Sequence, residues 1–127
     1  DLDFVSAYVL GPGAARGTAA GRFRLAYERR IVPRMATALE ALAWADMAPR
    51  AVVRRGELAH LRATFSKPAG ARLQALVSFR SSADGWRIVN LVVDGRDLLE
   101  IERAFVAQRL DAAGGDVAIL ARLLPVR

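Results

Sequence analysis

Apolar residues in the first third of the chain recur at helical spacing. Between an acidic start and the helix-stopping segment Gly11-Pro12-Gly13, one face carries Phe4, Ala7 and Tyr8, which predicts a short helix over residues 1–10. A second helix is predicted from an N-cap at Thr18. Its apolar positions recur every four residues, at Phe23, Tyr27, Ile31 and Met35. Arginines flank these positions.

Pro33 lies inside this second helical pattern. Because proline removes a backbone hydrogen bond from a helix interior, we expect Pro33 to kink or divide the helix. The pattern continues through Leu39, Leu42 and Trp44 to about residues 46–49. Residues 1–48 are therefore predicted to be helical.

The apolar period changes to two after Pro49, which predicts strands over residues 50–94. A brief strand is expected at 51–54, and two longer ones at 58–66 and 73–80. Their apolar sets are Ala59, Leu61, Ala63 and Phe65, then Leu73, Ala75, Val77 and Phe79. Turn residues between the strands predict an antiparallel meander of three long strands and one short one.

The last predicted strand, residues 86–93, is apolar on both faces. Strict alternation places Trp86, Ile88 and Val92 on one side, and Val89, Leu91 and Val93 on the other. A strand of this kind has to be covered on both faces, by helices, by a second protein or by a ligand.

Helices are predicted again over residues 97–124. Asp97 can cap the first, Gly114-Gly115 breaks it, and Asp116 can cap a final helix that runs up to Pro125. The order of elements predicts an α+β fold in which helices pack on a curved antiparallel meander. A length of 127 residues favours one domain spanning 1–127.

The amino-acid composition limits the metal-binding and catalytic sites that the chain can form. The chain has no cysteine and one histidine, and no acidic residues stand at a metal-ligand spacing, so we predict no metal, no cofactor and no catalytic residue. The alternative is an acid–base enzyme with an apolar pocket, for which His60 and Asp94 are the candidate catalytic residues. His60 falls on the polar side of its strand, and Asp94 precedes Gly95 as a turn residue would. We also expect a soluble chain, since it contains no long apolar run.

The net charge of +6 comes almost entirely from arginine, because Lys67 is the only lysine. Arginine binds phosphate well, so nucleic acid, anionic lipid head groups and acidic proteins are all conceivable partners of a basic interaction module. The basic residues are scattered from Arg16 to Arg127, which argues against nucleic acid, and a solvated surface explains them equally well.

The segment from Gly85 to Gly95 resembles a pattern of the MlaC/toluene-tolerance family: G-W, a basic residue, alternating apolar positions, then an acidic residue and G. Phe4 through Pro12 also resembles that family's F-x-x-x-A-x-x-V-L-G segment, and Phe23 to Met35 resembles the helix that follows it. The resemblance implies a nuclear-transport-factor-like cone, a periplasmic location and a phospholipid or related ligand. It also implies partners: an outer-membrane lipoprotein complex and the substrate-binding subunit of an inner-membrane ABC transporter, which together maintain outer-membrane lipid asymmetry. A hopanoid-associated branch shares this architecture, so the resemblance does not identify the lipid.

Under this resemblance the last strand forms one wall of a lipid cavity, with neighbouring strands beside it and helices as cover. The predicted lipid-binding residues are Phe23, Tyr27, Ile31, Phe65, Val77, Phe79, Trp86, Ile88, Val92 and Phe105. Burial of acyl chains at about 25 cal/mol per Å2 would hold such a ligand without hydrogen bonds. Taken singly, each of these residues fits ordinary core packing better than ligand contact.

Overall fold

The computed structural model describes residues 1–12, 17–43 and 46–124. Gly13, Trp44 and Pro125, which enter the sequence predictions, lie outside these residues. The described residues form two compact units, one containing Asp1 and residues 38–98, the other drawn from residues 2–37 and 99–127. The first is built around a sheet and the second is helical.

Four helices are present in the part of the chain that the structure describes. They are α1 (Leu2–Leu10), α2 (Thr18–Ala43), α3 (Leu98–Ala112) and α4 (Val117–Leu123). Asp116 caps α4 as predicted, since its Oδ1 accepts hydrogen bonds from the amides of Ala118 and Ile119 at 2.8 and 3.1 Å. Among the described residues, no helix is both long enough and apolar enough to cross a membrane.

Pro33 does not divide α2, which runs without interruption for 26 residues. The proline is exposed. Because proline has no backbone N–H, the carbonyl four residues earlier receives no helical hydrogen bond from it. Water can hydrate that carbonyl on the solvent side of the helix. Of the two predicted outcomes, division of the helix is therefore wrong, and a kink at Pro33 stays a prediction.

The sheet is a five-stranded antiparallel meander in the order β1-β2-β3-β4-β5. Its strands are β1 (Asp46–Arg55), β2 (Leu58–Ser66), β3 (Arg72–Ser82), β4 (Gly85–Val93) and β5 (Arg96–Asp97). The predicted α+β class and meander are confirmed. A two-residue Asp94-Gly95 turn, with φ of 48° and 79°, joins β4 to β5, a strand that the sequence pattern did not predict.

Strand β1 corrects the predicted boundary between helix and strand. Residues 46–48 were predicted to be helical and the strand to be brief, but β1 spans ten residues and pairs with all of β2. Asp46 to Pro49 lie opposite Ala63 to Ser66. Pairing with β2 overrides the local helical pattern, and Pro49 is tolerated because β1 is an edge strand with a bulge between Pro49 and Ala51.

The pairing register assigns side chains to two faces of the sheet. We call one the apolar face, defined by Leu61, Ala63, Phe65, Ala75, Val77 and Phe79, and the other the polar face, defined by His60, Arg62, Thr64, Gln74, Ser78 and Arg80. The alternation read from the sequence for β2 and β3 is therefore confirmed.

A bulge in β4 changes the faces predicted for that strand. Val77 lies opposite Leu91, but the next apolar-face residue, Phe79, lies opposite Ile88. One extra residue in β4 thus moves Trp86 and Ile88 onto the face of Leu91. Val92 lies opposite Leu76 on the polar face, so its predicted grouping with Trp86 and Ile88 was wrong.

Candidate functional site

The sheet unit contains a cavity of about 390 Å3 on its apolar face. Three strands and the end of a fourth contribute its lining, which consists of Val52, Arg54, Ala59, Leu61, Phe79 and Trp86. The register explains the grouping, because Val52 lies opposite Leu61, and Ala59 lies opposite both Arg54 and Phe79. The volume falls in the lower part of the ~300–1,000 Å3 range of small-molecule sites.

The cavity is open to solvent along an apolar rim. Val52 is 69% exposed and Trp86 is 47% exposed, whereas residues farther along the same face, such as Ala63 and Leu91, are almost fully buried. Large apolar side chains exposed together around a concavity are typical of binding surfaces. At Trp86, the expectation that a helix, a second protein or a ligand covers both faces of the last strand stays a prediction.

Among the described residues that line the cavity, Arg54 is the one with a charged side chain. Its guanidinium carbon lies over the Trp86 ring, 5.1 Å from the ring centroid. A guanidinium over an indole face is a favourable cation–π arrangement, and it orients both side chains at the cavity.

The predicted lipid-binding residues of the sheet divide into three groups. Phe79 and Trp86 line the cavity. Phe65 and Val77 are buried on the same face, and half-buried Ile88 lies beside Phe79. Val92 is on the polar face. Val52 and Leu61 were not predicted as binding residues, because their places in the lining depend on strand register.

In the helical unit, the predicted residues Phe23, Tyr27 and Ile31 are all buried along one side of α2. The rings of Phe23 and Tyr27 stack at a centroid distance of 5.5 Å. Phe105 is half-buried, and the Arg30 guanidinium lies 3.7 Å from its ring centroid. These side chains are occupied by contacts within the unit, and their contact with lipid stays a prediction.

The helical unit buries a polar group that we call the Glu102 cluster, consisting of Tyr27, Arg30, Arg34 and Glu102. Glu102 is fully buried. Arg30 donates two hydrogen bonds to its carboxylate at 2.9 and 3.0 Å, and the Nε of Arg34 lies 2.8 Å from Oε1. The Tyr27 hydroxyl donates a longer bond of 3.3 Å. Two guanidinium groups thus compensate one carboxylate removed from water.

Burial raises the pKa of the Tyr27 hydroxyl well above its ordinary value, and the neighbouring Glu102 carboxylate raises it further. The phenol is therefore neutral and acts as a hydrogen-bond donor. Tyr27 was predicted as an apolar contact, but it supports a buried ion pair.

Glu102 was not predicted as a buried residue, although the sequence contains a signal for it. Glu102 falls on the buried face of α3 between Leu99 and Val106. A carboxylate at an apolar-stripe position requires buried cationic partners. Arg30 and Arg34, one helical turn apart, are the matching pair, although the sequence assigned them to a helix flank.

Two further concavities lie in the helical unit. One of about 390 Å3 lies where α1 and α2 meet, and it is lined in part by Asp3, Ser6 and Arg24. The other, of about 570 Å3, lies along the exposed side of α2 by Leu25 and Val32. Asp3 pairs with Arg24, so the charges in the first are already compensated.

The two candidate acid–base residues are not brought together. The Nδ1 of His60 is 2.7 Å from the Ser78 hydroxyl, while Asp94 is exposed and accepts a hydrogen bond from the Gln74 amide at 2.9 Å. Because Ser78 and Gln74 are four residues apart on β3, His60 and Asp94 are separated by about 13 Å along the sheet. The described residues also contain no group of three potential metal ligands.

Comparison of the sequence with protein-family models and with curated proteins finds no match. The structure is similar to a solved structure of a phospholipid-binding protein from Ralstonia solanacearum in complex with a phospholipid. The similarity has a TM-score of 0.77 at 16% sequence identity, and covers 98% of this chain and 70% of that one. At this identity, the comparison establishes a shared fold.

Proposed function

We propose that this protein binds a phospholipid or a related lipid and carries it without chemically changing it. The observation that carries the proposal is the likeness in fold, over nearly the whole chain, to a protein solved with a phospholipid. The open apolar cavity on the sheet supports it, because an acyl chain placed there would remove exposed Val52 and Trp86 from water. The separation of His60 from Asp94 favours a carrier over an acid–base enzyme.

The wider setting is part of the same proposal. The resemblance in sequence to the MlaC/toluene-tolerance family supports a periplasmic carrier between an outer-membrane lipoprotein complex and an inner-membrane ABC transporter. Fractionation of cells expressing the complete gene tests the location. Affinity capture from detergent-solubilised inner membranes should retain an ABC transporter subunit, and recovery of the protein in the cytosolic fraction would refute the periplasmic role.

Two neighbouring valines of β1 provide a matched test of lipid binding at the cavity. Val52 lies on the apolar face within the lining, whereas Val53 lies opposite His60 on the polar face, and both are exposed, at 69% and 48%. Val52→Glu places a carboxylate against the lipid chain, while Val53→Glu adds the same charge on the other side of the sheet. Because both positions are exposed, neither change should unfold the protein.

The probe is palmitoyl-lysophosphatidylcholine below its micelle concentration, titrated by calorimetry. Wild type and Val53→Glu should bind with equal affinity, and Val52→Glu should bind at least about tenfold more weakly, because a carboxylate then faces the acyl chain. Native mass spectrometry of gently purified protein should also show retained lipid. Absence of both retained lipid and binding would refute the carrier function, while equal binding by both variants would exclude this cavity as its site.

A further inference from the structure

The Arg54 guanidinium contacts a ring, as those of Arg103 and Arg109 do in the helical unit, but Arg54 is the one of these three that lines the cavity. Arg24 pairs with Asp3, Arg80 with Glu57 and Arg87 with Asp84, while Arg30 and Arg34 share Glu102. No carboxylate of the described residues lies within ion-pair distance of Arg54. Its positive charge is therefore available at the cavity.

The position of this charge is also specific. Arg54 lines an otherwise apolar concavity, and its guanidinium lies over the Trp86 ring. A guanidinium over a ring keeps the N–H groups at its edge free to donate hydrogen bonds, and its planar fork matches the oxygens of a phosphate or carboxylate. The cavity thus combines an apolar floor with a cation at its border.

We infer that this cavity selects amphiphiles with an anionic head group, in which Arg54 binds the phosphate or carboxylate and the apolar chain packs on Leu61, Phe79 and Trp86. This inference rests on the proposed lipid-binding function and adds the charge of the ligand to it. Trp86 has two roles, because its ring contacts the chain and also orients the guanidinium that binds the head group.

Arg54 has a matched control in the next residue. Arg55 belongs to the same strand, lies opposite Leu58 on the polar face, and is also exposed. Arg54→Gln and Arg55→Gln remove the same charge from adjacent surface positions, so they alter the net charge of the protein equally. Only the first removes a cation from the cavity.

The test measures the affinity of wild type and both variants for three probes. Palmitoyl-lysophosphatidic acid is anionic, monopalmitoylglycerol has the same chain without charge, and inorganic phosphate has the charge without the chain. We expect wild type and Arg55→Gln to bind the anionic lipid about tenfold more tightly than the neutral one, as a charge-assisted hydrogen bond would produce. Arg54→Gln should lose this preference and retain its affinity for the neutral lipid.

Three outcomes would overturn the inference. If all three proteins bind the two lipids equally, the cavity does not select charge, although lipid binding itself stands. If inorganic phosphate binds as tightly as the anionic lipid and depends on Arg54, the site recognises free phosphate. If neither lipid binds to wild type, the proposed function fails together with the inference.

Discussion

At the scale of single residues, Glu102 is a carboxylate that the fold removes from water. It is fully buried, and its two oxygens bond to Arg30 and Arg34 of α2. Such an arrangement contributes less to net stability than its bonds suggest, because three charged groups lose hydration. Its main effect is to fix how α2 and α3 pair, since any other register would leave a carboxylate or a guanidinium buried alone.

Glu102→Ala is expected to destabilise the protein by about 3–5 kcal/mol, because buried Arg30 would lose its compensating charge. The free energy of unfolding, measured by urea denaturation, checks this. Glu100→Ala in the same helix is the control, since Glu100 is exposed and its removal should cost less than about 1 kcal/mol. Equal costs for the two variants would show that the Glu102 cluster is not a buried ion pair in solution.

The raised pKa of Tyr27 predicts how stability depends on pH. The folded protein holds the phenol proton more tightly than the unfolded chain, in which the group titrates near its ordinary value of 10.0. The contribution of Tyr27 is therefore complete below about pH 10 and declines above it, by about 1.4 kcal/mol per pH unit.

Urea denaturation between about pH 8 and pH 11 tests this dependence. Tyr27→Phe should remove the decline, because phenylalanine has no proton to lose, whereas Tyr8→Phe keeps Tyr27 and should retain it. A decline of the same slope in both variants would mean that another group causes it.

At the scale of secondary-structure elements, β1 and β4 show where local pattern stops being sufficient. The C-terminal ends of α1 and α3 follow from glycine stops, and the start of α4 follows from its Asp116 cap, all of which act on adjacent residues. By contrast, residues 46–49 join a strand because β2 is available to pair with them. The bulge in β4 depends on its pairing with β3, so the sequence of β4 alone does not predict which of its faces carries Trp86.

The Asp116 cap is a local feature whose strength can be measured. Asp116→Ala removes the acceptor for the amides of Ala118 and Ile119, and should cost about 1 kcal/mol of stability. Asp111→Ala, an exposed position near the C-terminal end of α3, should have almost no effect. A cost for Asp116→Ala no larger than that for Asp111→Ala would show that α4 does not depend on its cap.

At the scale of the whole molecule, lipid binding should appear as increased stability. A ligand that binds only the folded protein stabilises it by about 2.7 kcal/mol when its concentration is a hundred times the Kd. With palmitoyl-lysophosphatidylcholine at such a concentration, wild type and Val53→Glu should therefore unfold at higher urea, while Val52→Glu should gain less. Equal gains for Val52→Glu and Val53→Glu would mean that the lipid binds outside the cavity.

The sequence by itself determined the fold class, three of the four long strands and the starts and ends of most helices. Each of these depends on residues that are neighbours along the chain: a two-residue or four-residue apolar period, a capping aspartate, a glycine stop. Of the ten predicted lipid-binding residues, Phe79 and Trp86 line the cavity. Phe79 was predicted from a local alternation of apolar residues, and Trp86 is a large apolar residue.

Only the tertiary structure decided which distant residues meet. It placed Val52, Arg54 and Leu61 beside Phe79 and Trp86, and it placed Glu102 against two arginines about seventy residues away in sequence. Both results depend on strand register and helix pairing, which are selected by the summed burial and charge compensation of many residues. For that reason the arginine at the cavity could be identified as a ligand-binding residue only once the strands were in register.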